Sequence, residues 1–255
     1  MSYLARFIDQ YRSSRKTKLA QTIAAKNNLK VAYEIDSDDA SVIIDIYLKR
    51  VYNTCFPFYE DAVIVDIGAH RGFFSIFCDK YTGGKSTIYA LEPEPSNFQK
   101  LTENLSINHC TKILPHNIAV SGETGTQQLY ISKSVNHSLI RLQEDHPYID
   151  QEKSISIQTT SLLDFIKKEN ITRIDFLKID CEGCEYEMLL NSDSSCFDYI
   201  STISMEFHDI HSPDYNVHKL VNHLKRHGYE IVRYEFQETP LPLQMGILVM
   251  SKAGH

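Results

Sequence analysis

The chain has 255 residues, 42% hydrophobic and 23% charged, an ordinary globular composition that excludes a disordered or low-complexity protein. The length suits one large α/β domain, or one domain with an added arm. A net charge of −7 disfavours a general nucleic-acid binder, and no apolar run approaches the roughly 18 residues that a membrane span needs.

The N-terminal stretch MSYLARFIDQYRSSRKTKLAQ lacks the apolar core and small-residue cleavage site of a secretory leader. A cytoplasmic protein with reduced cysteines is therefore expected. Over the first thirty residues Arg6, Arg12, Arg15, Lys16, Lys18, Lys26 and Lys30 face only Asp9. Such a basic arm suits an anionic membrane surface, a nucleic acid or an acidic partner, or is simply a solvated helix face. Residues 2–26 read as a helix, with Leu4, Phe7, Ile8, Tyr11 and Leu19 at helical spacings. DDASVIIDIYLKRVY predicts a second helix, capped by Asp38 or Ser37. These helices form an N-terminal extension, residues 1–58, ahead of a domain spanning 59–255.

From residue 61 the rhythm is strand, turn, helix. AVIVDIG, STIYALE and TKILPHNIAVS predict the first three strands, with helices at RGFFSIFCDKY and EPSNFQKLTENLSIN. TQQLYIS, HSLIRL and SISIQTT alternate and predict an antiparallel excursion, followed by a helix capped by Ser161. RIDFLKID and YISTISMEF are the fourth and fifth core strands. After the helix DYNVHKLVNHLKRHG, the segments YEIVRYEF and LQMGILVMS close the chain as two strands able to pair antiparallel. Strands alternating with helices imply a mostly parallel sheet covered on both faces, whose ligands bind at the carboxyl ends of the strands. Asp66, Glu92, Asp180 and Glu206 all fall at such ends, which predicts four carboxylates around one rim.

The first strand–turn–helix is VDIGAHRGFFS. Gly68 and Gly72 permit a tight turn beside a ligand, but Ala69 and His70 leave no Gly-x-Gly-x-x-Gly path for a pyrophosphate. Asp66 would repel a phosphate and attract an ammonium group. Glu92, 24 residues beyond Gly68, can accept from both hydroxyls of a ribose. Together they suit S-adenosylmethionine, which has a ribose and a cationic amino-acid tail. The plain alternative makes Asp66 a turn cap and Glu92 a solvated loop residue.

VDIGAHRGFFS, ALEPEPSNFQKLTENLSIN, NIAVSGETGTQQLYI, LKIDCEGCEYEMLL and ISMEFH, in that order over residues 44–210, resemble the FkbM family of S-adenosylmethionine-dependent methyltransferases. The resemblance implies a class I methyltransferase, Rossmann-like α/β fold. Its seven-stranded sheet would have the order 3-2-1-4-5-7-6, the last strand antiparallel, with helices on both faces. It implies O-methylation of a hydroxyl on a sugar, glycan or other small molecule. By resemblance Asp66, Gly68 and Gly72 line the methionine end, Glu92 holds the ribose, and Asn117, Ala119 and Val120 flank the adenine. His70, Phe74, Ser75, Pro93 and Asp180 complete the candidate cofactor set. Two departures stand out: His70 replaces a frequent asparagine, and Cys181 and Cys184 occupy usually small or apolar positions.

Methyl transfer to a hydroxyl needs alignment and a proton acceptor. Strand alternation puts Lys178 and Asp180 on one face, and Glu182 follows before Gly183 turns the chain. Ser204, Glu206 and His208 share one face of the fifth strand. His208 is the first candidate base, then Asp180, then Glu182, with Lys178 orienting a carboxylate or stabilising an alkoxide. The plain alternative for Lys178 and Asp180 is a buried ion pair. Glu206, His208, Asp209 and His211 match no zinc spacing, and no metal ligand is assigned. Asn136, His137 and Ser138 are second-rank site candidates. Cys181-x-x-Cys184 reads alternatively as a redox pair or half a zinc site, although no second pair stands nearby. A protein or nucleic-acid methyltransferase recruited by the basic arm is the alternative function.

Overall fold

The computed structural model describes residues 3–56, 59–132, 149–181, 184–209, 214–237 and 244–253. Two helices come first, α1 (Tyr3–Lys26) and α2 (Ser37–Ile44), the latter running on into a π-helical turn at Asp45–Lys49. The cap of α2 is Asp36, ahead of the expected Ser37 or Asp38. Its carboxylate accepts from the N–H groups of Asp38 (2.9 Å) and Asp39 (2.8 Å). Arg71 selects it, since its guanidinium lies 2.7 Å from both Asp36 and Asp39. A tertiary ion pair thus fixes a local boundary.

The main sheet is built from β1 (Val63–Ile67), β2 (Thr87–Leu91), β3 (Ile113–His116), β7 (Ile174–Ile179), β8 (Ile200–Asp209), β9 (Tyr229–Gln237) and β10 (Gln244–Lys252). Their order is β3-β2-β1-β7-β8-β10-β9, and β10 runs antiparallel to both neighbours. Counted within the sheet this is 3-2-1-4-5-7-6, the order the resemblance implies. Successive strand residues face opposite layers. Ile64, Phe176, Ile247 and Val249 join a core with α1, α2, α3 (Phe73–Tyr81) and α4 (Pro95–Ile107). Val65, Leu177, Leu248 and Met250 join a second core with α5 (Leu162–Lys168), α6 (Glu185–Leu190) and α7 (Val217–Arg226). Ala20, Ile23, Ile43 and Tyr52 share the first core with the sheet, so the segment ahead of β1 is packed onto it. Outside that contact, Arg12, Arg15, Lys16, Lys18, Lys26 and Lys30 are exposed.

TKILPHNIAVS is not one strand. Its first half is β3; its second is β4 (Ala119–Val120), which joins β5 (Gly125–Ser132) and β6 (Ile149–Thr160) in a three-stranded sheet. Asn117 makes the break: its side-chain amide donates to the carbonyls of Glu92 (2.8 Å) and Pro93 (3.0 Å). These bonds tether the chain where it leaves one sheet for the other. β5 and β6 form the expected antiparallel excursion. HSLIRL, with Asn136, His137 and Ser138, lies outside the described residues.

Candidate active site

The β1 turn is drawn tightly onto the end of β7. Gly68 has φ +73°, and a Cβ there would lie 1.8 Å from the Asp180 carbonyl oxygen, so no side chain fits. Gly72 has φ +83° and begins α3 against Leu101, which would stand 3.3 Å from an added Cβ. Gly72 therefore lets α3 and α4 approach, and it does not line the cavity that opens beside the turn.

That cavity, about 250 Å³, lies over the carboxyl ends of β1, β2, β7 and β8. On one side stands Glu92, whose oxygens accept from the backbone N–H of His70 (2.8 Å) and of Glu94 (2.9 Å). Burial pushes this carboxyl up to about 7, against the pull of those two N–H groups. A carboxylate has about four acceptor sites, so two N–H groups leave it capacity for a ligand. His70 reaches this position through a left-handed backbone, φ +51°. Gly68, His70, Phe74 and Pro93 line the same cavity, and Ile118, Ala119, Val120 and Leu129 give it an apolar wall. This donor set fits a nucleoside: a carboxylate for a diol beside an apolar slot for a flat ring.

The other side is charged. The Lys178 ammonium lies 3.1 Å from Asp66 and 3.7 Å from Asp180, and donates to the Gly68 carbonyl at 2.8 Å. Burial works against its charge, but Asp66 and Asp180 outweigh burial and raise the lysine above its ordinary value. Asp66 is fully buried, accepts a hydrogen bond from Ser75 (2.7 Å) beside its ion pair with Lys178, and is not part of the lining. The rim therefore carries Glu92, Asp180 and Glu206, while Asp66 and Ser75 brace Lys178 from behind. The expected ammonium contact of Asp66 is taken by Lys178.

Tyr52, which belongs to no motif, closes this side. Its hydroxyl lies 2.9 Å from Asp180 Oδ2 and 3.2 Å from Glu206 Oε2. The ring packs edge-on against Phe74 at 5.6 Å between centroids. Arg233 in β9 donates to the carbonyl of Val51 at 2.6 Å, which ties the segment down. Val42, Asp45, Ile46 and Met245 are further lining residues the sequence did not reveal.

His208, the first candidate base, is elsewhere. Its imidazole Nδ1 lies 2.8 Å from Glu185 Oε1, both groups are buried, and His208 is not a lining residue. It ties β8 to the start of α6. Glu182 lies outside the described residues, and Asn117 serves as the tether described above rather than as lining. Among the described residues no group of three or more His, Cys, Asp or Glu side chains is arranged to hold a metal.

The cysteines correct another expectation. Cys181 and Cys184 form a disulfide, and both line the cavity. Their Cα atoms lie 5.7 Å apart, within bridging range. Cys55, Cys78, Cys110 and Cys196 are free, and of these only Cys55 is exposed. Iodoacetamide on native, unreduced protein should therefore label Cys55 alone. Mass spectrometry should count four labels after unfolding and all six only after reduction. Six labels without a reductant would rule the bridge out.

The sequence profile of the methyltransferase FkbM domain matches residues 66–231, well over half of the chain. The chain belongs to the FkbM methyltransferase family. Like the family, it is an S-adenosylmethionine-dependent methyltransferase. This FkbM protein is 26% identical over 182 residues to Methyltransferase 1 of Beauveria bassiana, spanning 65% of this chain and 72% of that one. Hexuronic acid methyltransferase AglP of Haloferax volcanii is 28% identical over 130 residues, 51% of this chain and 49% of AglP. Among solved structures, M. capricolum TrmK with S-adenosyl-homocysteine aligns over 80% of this chain and 68% of its own, at 16% identity and a TM-score of 0.49. Among the described residues no helix is long and apolar enough to cross a membrane.

Proposed function

We propose that this FkbM methyltransferase methylates a hydroxyl of a sugar, a glycan or another small molecule. One observation carries the reading: the Asp180–Glu206 carboxylate pair, joined by Tyr52, shares a cavity with Glu92. One end of the cavity suits a nucleoside, and the other offers oxygen acceptors for a hydroxyl proton. When bound, S-adenosylmethionine supplies a methyl group activated by its sulfonium. Glu92 accepts from the ribose hydroxyls, and Ala119 and Val120 flank the adenine. Gly68, His70, Phe74 and Pro93 border the same half of the site. Asp180 and Lys178 border the cationic centre, with Asp66 and Ser75 holding Lys178 in place. The similarity to AglP, a hexuronic acid methyltransferase, supports a sugar hydroxyl as the acceptor class.

The test uses methyl-labelled cofactor with the full chain and four acceptor pools: neutral glycosides, uronic acids, peptides and transfer RNA. Label is expected in a glycoside or uronic acid. Label in peptide or RNA alone would sink the reading.

A further inference from the structure

We propose that Glu206 is the residue that takes the proton from the methyl acceptor, with Tyr52 as the positioning residue that holds it. This rests on the methyl-transfer reading above and goes beyond it, since neither the family match nor the relatives assign these two residues a role.

The hydrogens at this site are too few for two ionised carboxylates. Tyr52 has one hydroxyl hydrogen but faces two carboxyl groups, Asp180 Oδ2 at 2.9 Å and Glu206 Oε2 at 3.2 Å. Two ionised carboxylates around one donor leave one of them short of a partner. The arrangement is satisfied when one carboxyl carries a proton. Its O–H then donates to the Tyr52 oxygen, while the Tyr52 hydrogen goes to the other carboxylate. The two are not equivalent: the Lys178 ammonium stands 3.7 Å from Asp180 Oδ2 and gives that carboxyl a cationic partner. The site's one extra proton therefore sits on Glu206, and its loss leaves Glu206 as the carboxylate able to accept the next one.

Every charged neighbour agrees with this placement or is outweighed. Burial raises the Glu206 carboxyl most, and Asp180 and Glu185 raise it further. His208 and the Tyr52 hydroxyl pull it down, and the balance stands at about 7. A proton acceptor works best when its own affinity for the proton matches the working pH. Glu206 lines the cavity, whereas His208 does not. In the transfer, the acceptor's O–H bond breaks and its proton passes to the Glu206 carboxylate. The oxygen's electron pair forms the new bond to the methyl carbon, and the carbon–sulfur pair stays on sulfur.

The experiment has two arms on the full chain. In the first, protein labelled with ¹³C at the glutamate carboxyls and saturated with S-adenosylhomocysteine is titrated by NMR. One signal, absent in Glu206→Gln, should titrate near neutrality. Its midpoint should fall in Asp180→Asn, which removes the like charge, and rise in Tyr52→Phe, which removes the donor. The Asp180→Asn measurement reads Glu206 itself, so it stands even if Glu206→Gln misfolds. A Glu206 signal that titrates with the ordinary carboxylates, or ignores Asp180→Asn, overturns the proposal.

The second arm measures methyl transfer to neutral methyl hexopyranosides. Neutral probes are chosen so that the acceptor brings no titrating group of its own to the pH–rate profile. Glu206→Gln should lower kcat by about 100-fold and abolish the neutral limb of the pH–rate profile, with S-adenosylhomocysteine affinity within about 2-fold. Tyr52→Phe should keep partial activity with that limb moved upward. Unchanged kcat and pH profile in Glu206→Gln overturn the assignment. Wild-type chain that fails to bind S-adenosylhomocysteine at all overturns the methyl-transfer reading instead.

Discussion

Lys178→Met is expected to destabilise the folded chain by about 3–5 kcal/mol, the cost of leaving one member of a buried ion pair alone. Methionine nearly fills the lysine's volume, so the loss is electrostatic. Asp66, with no exposed surface, would keep only Ser75 as a hydrogen-bond partner at 2.7 Å. Asp180 would lose its cation, and the Gly68 carbonyl would lose its 2.8 Å donor. Urea unfolding followed by circular dichroism reads the difference. Adding Asp66→Asn should recover a large part of it, because removing both partners costs far less than removing one. A single-variant cost below about 1 kcal/mol would mean that water already reaches the pair. The lysine's raised value gives a second readout. Its contribution is fully present below the ordinary 10.5 and is lost as pH climbs through the higher folded value. Wild type and variant should therefore converge in strong alkali.

Glu92→Ala should weaken S-adenosylhomocysteine binding by about 100-fold, since hydrogen bonds to a charged group are worth about 1.5–3 kcal/mol each. Calorimetry with near-native affinity would remove Glu92 from the ribose. The carboxyl sits near 7 in the free protein, and ribose hydroxyls favour its ionised form. Affinity should then rise with pH up to about 7 and level off, and binding below that point should release a proton, seen as buffer-dependent heat. The stability effect has the opposite sense. A carboxyl raised from 4.5 to about 7 makes the ligand-free fold bind more protons than the unfolded chain, so its contribution declines as pH rises across that interval. Glu92→Ala should flatten that decline.

The alternation of strands and helices was legible because each buried strand is a short apolar run closed by a turn residue. The order of the strands was not in those runs. It came from the resemblance of five blocks to a known family. Glu92 and Asp180 could be placed on the rim because both end strands. Asp66 also ends one, but its side chain turns beneath the rim onto Lys178, and strand position alone does not separate these cases. His208 looked catalytic from residue type, yet Glu185, 23 residues earlier, holds it out of the cavity. Tyr52 carries no motif and lies 128 residues from Asp180, so only the fold brings them together. Cys181-x-x-Cys184 allowed a redox pair or half a zinc site, and only the 5.7 Å between their Cα atoms decides for the bridge.

The family profile begins at residue 66, yet Tyr52 at one wall of the cavity and Met245 at another lie outside residues 66–231. Under the function proposed above, the residues assigned to the nucleoside lie within the matched segment, and Tyr52, assigned to the acceptor half, lies ahead of it. Replacing the leading segment would therefore alter the proposed acceptor half and leave the proposed nucleoside half in place. Such a replacement has a boundary: it must still deliver a hydroxyl between two carboxylates.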